Sequence, residues 1–331
     1  MMPRSRASLL VTVLALAIAV LPAGSIARAE PRTEPRPALR IGVVLSIGGL
    51  QDHAYNDATY AGVQNLRQRP GCLVDVIEPG DAAAIEPALE HFARQGHDLI
   101  VGVGIFANEP IRRVAERHPD RAFALFDSVV TLPNVLSILF NEEEGSFYAG
   151  AVAGLLTRSQ TVGFLGGMVS PIIKCFESGF QKGVTFVNPK ARVLVRYAGD
   201  TPAAFHSPEI GSRLGRELAE AGADLIFHAA GRTGLGLIQA ARQGRFLVIG
   251  VDGDQTTLAP GKIVASLVKR LDVALDRAFR TVAEGRFKGG VLTLGLADAG
   301  IELVLSRFNK DRFTSLVQDR LREVEAFLLH K

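Results

Sequence analysis

Residues 141–183, NEEEGSFYAGAVAGLLTRSQTVGFLGGMVSPIIKCFESGFQKG, decide the fold. Glu142, Glu143 and Glu144 stand where acids complement the dipole of a starting helix. Gly145, Ser146, Ala149, Gly150, Ala153 and Gly154 recur along that helix and let its backbone approach a neighbour closely. A strand over 161–165, a turn at Gly166-Gly167 and a helix over 171–187 carrying Phe176 follow. A second strand–helix alternation therefore begins here, and the stretch marks the passage from one α/β lobe to another. The cleft between the lobes is the expected functional site. A membrane-dimer reading of the small-residue helix is poor, because three acids open it and its apolar run is short.

Upstream, LRIGVVLSI (39–47) is a continuous apolar run of strand length, as expected of a parallel strand covered on both faces. The pattern then predicts a helix over 58–69, a strand over 72–77, a helix over 84–95 and a strand over 98–103. A helix over 109–117 follows, then a strand over 122–126 that ends in Asp127, and one over 135–140. Downstream, strands are expected over 191–197, 224–229 and 246–251, the last ending in Asp252, with helices over 211–221 and 235–242 between them. A strand over 263–269, a helix over 271–283, short strands over 291–296 and 301–304 and a closing helix over 308–329 complete the chain. Such alternation gives two doubly wound sheets with ligand sites at the carboxyl ends of their strands. The lobes are expected to comprise 39–141 with about 262–288, and 142–261 with about 289–331.

The 331 residues suffice for two domains of ordinary size, and 47% hydrophobic with 21% charged residues is a globular composition. Arg4 and Arg6, the apolar run over 9–21 and the small-x-small triplet Ala27-Arg28-Ala29 read as a cleavable export signal over 1–29. Residues 30–38 then form a Pro-rich lead-in, and a periplasmic location is expected. Removing the signal takes away three arginines and no acid, so the formal charge falls from +3 to 0. A neutral chain has no global pull toward nucleic acid or anionic lipid. Cys72 and Cys175 fall in different lobes, where a bridge would tie shut a cleft that must open. The seven histidines are scattered, without the close His or Cys pairing of a zinc site, so neither a metal nor a cofactor is expected.

Several motifs occur in one order: GGLQDHAYN (48–56), FNEEEGSFYAG (140–150), VGFLGGMVSP (162–171), FESGF (176–180), GADLIFHAAGRTG (222–234), IGVDGDQ (249–255) and the strand ending in Lys269. They resemble the basic membrane protein, or PnrA-like, family of exported substrate-binding proteins that serve ABC importers of purine nucleosides. The resemblance spans about 39–305. It implies a type I periplasmic-binding-protein fold: two Rossmann-like lobes, three hinge crossings and a nucleoside held between them. It also implies a monomer that delivers its ligand to a permease in the inner membrane and catalyses nothing.

Residue chemistry fits that implication. Asp127 and Asp252 end strands at the cleft, and carboxylates recognise vicinal hydroxyls well; both are assigned to ribose. Lys269 is placed to donate to a ribose oxygen and to offset the two acids. Gly231 allows backbone to approach the ligand. Tyr55 stands where the family carries a stacking Phe, and stacking is worth about 1–3 kcal/mol per base. Asn56 either reads the base edge or holds its loop. Phe176 is the first choice for the opposite platform, with Phe205 and Phe227 as rivals. The family usually has Asp at Ser46, Asp-Asp at Gln51-Asp52 and Gly at Arg232. These departures suit a shifted base preference or a ligand with an added anionic group. Two other readings compete: a nucleotide-dependent enzyme, against which no dinucleotide or P-loop motif is found, and an exported sensor or binding module.

Overall fold

The computed structural model describes residues 38–330; the expected export signal and all but the last residue of the lead-in lie outside them. The first run comprises β1 (Leu39–Val44), α1 (Tyr55–Arg67), β2 (Cys72–Ile77), α2 (Ile85–Arg94), β3 (Leu99–Val103), α3 (Asn108–Arg117), β4 (Ala122–Phe126) and β5 (Val135–Phe140). The second comprises α4 (Glu142–Leu156), β6 (Thr161–Met168), α5 (Pro171–Val187), β7 (Arg192–Gly199), α6 (Pro208–Glu220), β8 (Leu225–Ala229), α7 (Thr233–Gln243), β9 (Leu247–Asp252) and β10 (Ile263–Lys269). Then come α8 (Leu271–Ala283), β11 (Gly290–Leu294), β12 (Ile301–Leu305) and α9 (Ser315–Leu329).

One sheet has the order β11-β5-β4-β3-β1-β2 and is parallel throughout. The other has the order β12-β10-β9-β8-β6-β7 and is parallel except for β12, which runs antiparallel to β10. Strands such as β3 and β8 are buried along their whole length, as continuous apolar runs require. Helices α2 and α3 bury Phe92, Ile111 and Val114 on one face of the first sheet, while α6 and α7 bury Leu218 and Leu237 on the second. The chain passes between sheets three times, after β5, after β10 and after β11.

This corrects the expected lobe boundaries near the C-terminus. β10, expected in the first lobe, pairs with β9 and β12 of the second sheet. β11, expected in the second lobe, lies beside β5 in the first. The reason is burial. IVASLVK is buried at all but one position and takes an interior slot, whereas GVLTL is mostly exposed and serves as an edge. The second crossing therefore falls between Lys269 and the start of α8, which packs on α1 so closely that a Cβ on Gly62 would lie 2.8 Å from Asp272 Cα. The expected closing helix is also divided: a 3-10 segment, Arg307–Arg312, precedes α9, whose first turn Thr314 caps.

The decisive stretch folds as a seam between α4 and α5. A Cβ on Gly150 would lie 2.2 Å from the Phe180 carbonyl oxygen, and one on Gly183 would lie 1.9 Å from that of Phe147. Asn141 Oδ1 accepts from Glu144 N at 3.3 Å to start α4. The three glutamates then do different work. Glu142 reaches Lys269 at the second crossing, Glu143 pairs with Lys182 on α5, and Glu144 Oε2 accepts from Leu296 N beyond the third crossing.

Candidate functional site

The carboxyl ends of the two sheets face one another across a cavity enclosing about 790 Å³ of empty space, its open mouth included. Every residue assigned to the ligand from sequence lines it: Ser46, Tyr55, Asn56, Asp127, Phe176, Gly231, Asp252 and Lys269. The first lobe supplies the loops after β1, β3 and β4; the second supplies those after β7 and β8, the start of α5 and the ends of β9 and β10.

At the floor lies a buried ionic cluster. Lys269 Nζ donates to Asp127 Oδ1 and Oδ2 at 2.7 and 2.8 Å and to Glu142 Oε1 at 2.8 Å. The lysine side chain is 2% exposed and the two acids 5% and 9%. Burial alone would lower the Lys269 pKa, but the carboxylates of Asp127, Glu142 and Asp252 more than offset it and hold the ammonium charged. Burial raises the Glu142 pKa, with Lys269 opposing. Sequence reasoning places Glu142 only as a helix-dipole acid and misses its membership of this cluster. Its partner lies 127 residues away, so no local pattern announces the contact. The ammonium also sits 4.7 Å from the centre of the Phe140 ring, 5.5 Å from Tyr55 and 5.8 Å from Phe176.

Asp127 and Asp252 occupy equivalent places, just after β4 and at the end of β9, and both adopt left-handed backbone with φ of 61° and 64°. Asp tolerates this region better than most side chains. The conformation turns each carboxylate off its strand end toward the cleft. Burial pushes the Asp252 pKa up to about 7; Lys269 opposes this, and Asp127, Asp52 and Glu142 reinforce it. If Asp252 accepts from ligand hydroxyls as the assigned ribose acid, binding favours its ionised form. Below about pH 7 the free protein must then lose a proton from it to bind, and affinity should fall by up to about tenfold per pH unit. Calorimetry at pH 6 in buffers of different ionisation enthalpy should detect about one proton released on binding, and Asp252→Asn should abolish that release.

The other end of the cavity is less charged. Asn56 Oδ1 accepts from Ser46 N at 3.0 Å, so its oxygen holds the loop after β1, and its Nδ2 makes no hydrogen bond among the described residues. Asp52 caps α1, accepting from the backbone nitrogens of Ala54, Asn56 and Asp57 at 2.8–3.1 Å. Tyr55 is half-buried, with its hydroxyl buried and lacking a hydrogen-bond partner among the described residues. Burial and then Asp127 hold that phenol well above its ordinary pKa. Of the rival platforms, Phe227 is fully buried in the core and does not line the cavity. Phe176 lines it but is 3% exposed and packs on Phe227 with ring centres 6.3 Å apart. Phe205 lines it beside Gly231, where φ is 53° and a Cβ would lie 3.2 Å from the Phe205 carbonyl oxygen.

Gly104, after β3, also escapes a reading of the sequence. Its φ is +89°, and a Cβ there would meet Ser46 Oγ at 2.9 Å and the Tyr55 ring at 3.6 Å. Gly104→Ala should cost about 1–3 kcal/mol in stability from backbone strain and, by pushing Ser46 Oγ aside, weaken ligand binding at least about tenfold. Denaturant unfolding and equilibrium titration of this variant check both effects.

Besides the Lys269–Asp127 bonds at the floor, two hydrogen bonds among the described residues cross the cleft. Arg232 Nη1 donates to the Gly48 carbonyl at 3.3 Å, and Gln255 Nε2 donates to the His53 carbonyl at 3.1 Å. Gln255 is itself fixed, because its Oε1 accepts from Val251 N and meets His228 Nε2. Among the described residues no cluster of His, Cys, Asp and Glu suits a metal ion, and no helix is long and apolar enough to cross a membrane.

The model of the family described as ABC transporter substrate-binding protein PnrA-like matches residues 39–327. A lipoprotein of Pyrococcus abyssi is 30% identical over 284 residues, 82% of this chain and 70% of that protein. A Lactococcus lactis subsp. cremoris protein named ABC transporter nucleoside-binding protein BmpA is 25% identical over 316 residues, 88% of this chain and 87% of that protein. Among solved structures, an ABC transporter system solute-binding protein from Aeropyrum pernix K1 matches with a TM-score of 0.73 at 27% identity, covering 87% of this chain and 85% of that one. The two-lobed architecture is thus that of type I solute-binding proteins.

Proposed function

The chain belongs to the PnrA-like family of ABC transporter substrate-binding proteins, and from that premise we propose that it captures a purine nucleoside between its lobes and delivers it to a permease. The observation that carries the reading is the pairing of two cleft carboxylates, Asp127 and Asp252, with an aromatic wall at Tyr55 in one cavity. Ribose hydroxyls donate to the acids and the base lies against the ring. Lys269 spends its donors on Asp127 and Glu142, so its part is to position and charge Asp127 rather than to lead in sugar contact. Phe205, more open to the cavity than Phe176, is the better-placed second platform. Asn56 Nδ2 and the Ser46 hydroxyl remain to read the base edge.

Binding then follows the order expected of a hinged receptor. The open lobes offer two half-sites, the ligand bridges them, and closure forms the Arg232–Gly48 and Gln255–His53 bonds. Three chain crossings, all near the ionic cluster, let the lobes rotate about its end of the cleft. The closed form is what the permease recognises, at the outer face of the cytoplasmic membrane, after export directed by residues 1–29. No chemical step is required, and the family and its solved relatives are binding proteins.

The test is unfolding in the presence of adenosine, guanosine, inosine or xanthosine, each also assayed for turnover. A true ligand at 100 times its dissociation constant should add about 2.7 kcal/mol to the unfolding free energy. No stabilisation by any purine nucleoside would remove the reading, and release of free base would convert it into an enzyme.

A further inference from the structure

The cavity carries opposite charge at its two ends. Its floor sets Asp127, Glu142 and Asp252 against the single ammonium of Lys269. Its mouth presents Arg232 and His206. The Arg232 guanidinium has five N–H donors. One of them makes the 3.3 Å bond to Gly48, and among the described residues no carboxylate pairs with it. The nearest acid of the loop after β1, Asp52, is committed to three backbone nitrogens. Burial lowers the His206 pKa and Arg232 lowers it further, with Asp52 opposing, so a neutral imidazole stands beside an unneutralised cation. A Cβ on Gly48 would lie 2.2 Å from His206 Cε1, so the Cε1 edge of the ring abuts the opposing lobe.

Arg232 and His206 also line a second, outer cleft with Gly80, Asp81, Pro202 and Pro208. Asp81 there accepts from Ala84 N at 3.0 Å. The guanidinium thus stands at the partition between the inner cavity and the outer cleft. Closing the lobes on a ligand draws it out of water, and a cation brought into such a place without an anion carries a desolvation cost.

Resting on the nucleoside reading, we propose that the ligand presents an anionic, oxygen-rich base edge to Arg232, and that Arg232 is the residue that selects it. The substrate class is a purine nucleoside with carbonyl oxygens on both flanking carbons of the six-membered ring and a proton readily lost, of the xanthosine type. The planar guanidinium suits two oxygens or an oxygen–nitrogen anion edge, with two parallel N–H donors. An amino-substituted edge, as in adenosine, turns an N–H donor toward one guanidinium donor and leaves only a neutral ring nitrogen to accept from the other, so one N–H on each side goes unpaired. The dipolar cavity then matches a dipolar ligand, hydroxyl donors at the acidic floor and acceptors at the cationic mouth.

Titrations of the purified protein with xanthosine, inosine and adenosine at pH 7.5 test this, alongside Arg232→Gln and Arg232→Lys. The wild type should favour xanthosine over adenosine by about tenfold or more. Arg232→Gln should bring that ratio to within about threefold, and Arg232→Lys, which keeps the charge without the fork, should retain an intermediate ratio. Ligand-free unfolding midpoints establish that both variants are folded. A wild type that prefers adenosine, or a ratio unchanged in Arg232→Gln, overturns the inference while leaving the nucleoside reading intact. Binding of none of the three nucleosides by wild type or variants overturns both.

Discussion

Lys269→Ala is expected to lower the unfolding free energy by about 3–5 kcal/mol, a larger loss than a substitution elsewhere in the cleft should cause. The ammonium is 2% exposed and compensates two carboxylates that are themselves almost fully buried. Without it Asp127 and Glu142 face one another as uncompensated charges, and one of them must take up a proton. The site also joins three pieces of chain. Lys269 ends β10 at the second crossing, Glu142 follows the first, and Asp127 follows β4. Denaturant unfolding at pH 7 measures the loss. Lys269→Met combined with Glu142→Met and Asp127→Leu should recover much of it, because a buried ion cluster replaced as a whole by apolar side chains of similar size costs far less than one that is broken. A single alanine variant as stable as the wild type would show that the cluster is solvated in solution.

Asp127→Ala is expected to weaken nucleoside binding by about 3–5 kcal/mol, a few hundredfold to a few thousandfold. On the proposed reading two charge-assisted bonds to ribose are lost, and Lys269 keeps only its bond to Glu142 among those it makes to carboxylates. Asp127→Asn keeps the shape and removes the charge, so its loss should be smaller. The comparison of ribosides with 2′-deoxyribosides separates the causes. If Asp127 holds the sugar diol, the variant should discriminate between them less than the wild type does. Equal affinity of Asp127→Ala and wild type for every nucleoside would place the sugar elsewhere.

The sheets are legible in the sequence because parallel strands covered on both faces leave continuous apolar runs, as in 39–47 and 224–229. The strand-end acids are legible too, since a doubly wound sheet puts its strand ends at the cleft. What local sequence does not carry is which sheet a strand joins after a crossing. The succession of strand 263–269 and helix 271–283 reads as one βα unit, yet the crossing runs between them. Glu142, Glu143 and Glu144 look alike in sequence, but only Glu142 lies 8% exposed against Lys269. Gly104 gives no signal because its constraint comes from its positive φ and from Ser46, which is far from it in sequence. Phe227, a rival platform on sequence alone, is core, with Phe164 and Phe180 ring centres at 5.8 and 5.3 Å.

Whether this cleft holds a purine nucleoside is decided by what the protein carries from its own compartment. The protein should be purified without denaturation, its bound small molecules released by acid, and the extract identified by mass spectrometry against the protein's molar amount. The expected result is one purine riboside at a stoichiometry approaching one per chain. A molecule lacking either the purine ring or the ribose, at that same stoichiometry, would contradict it.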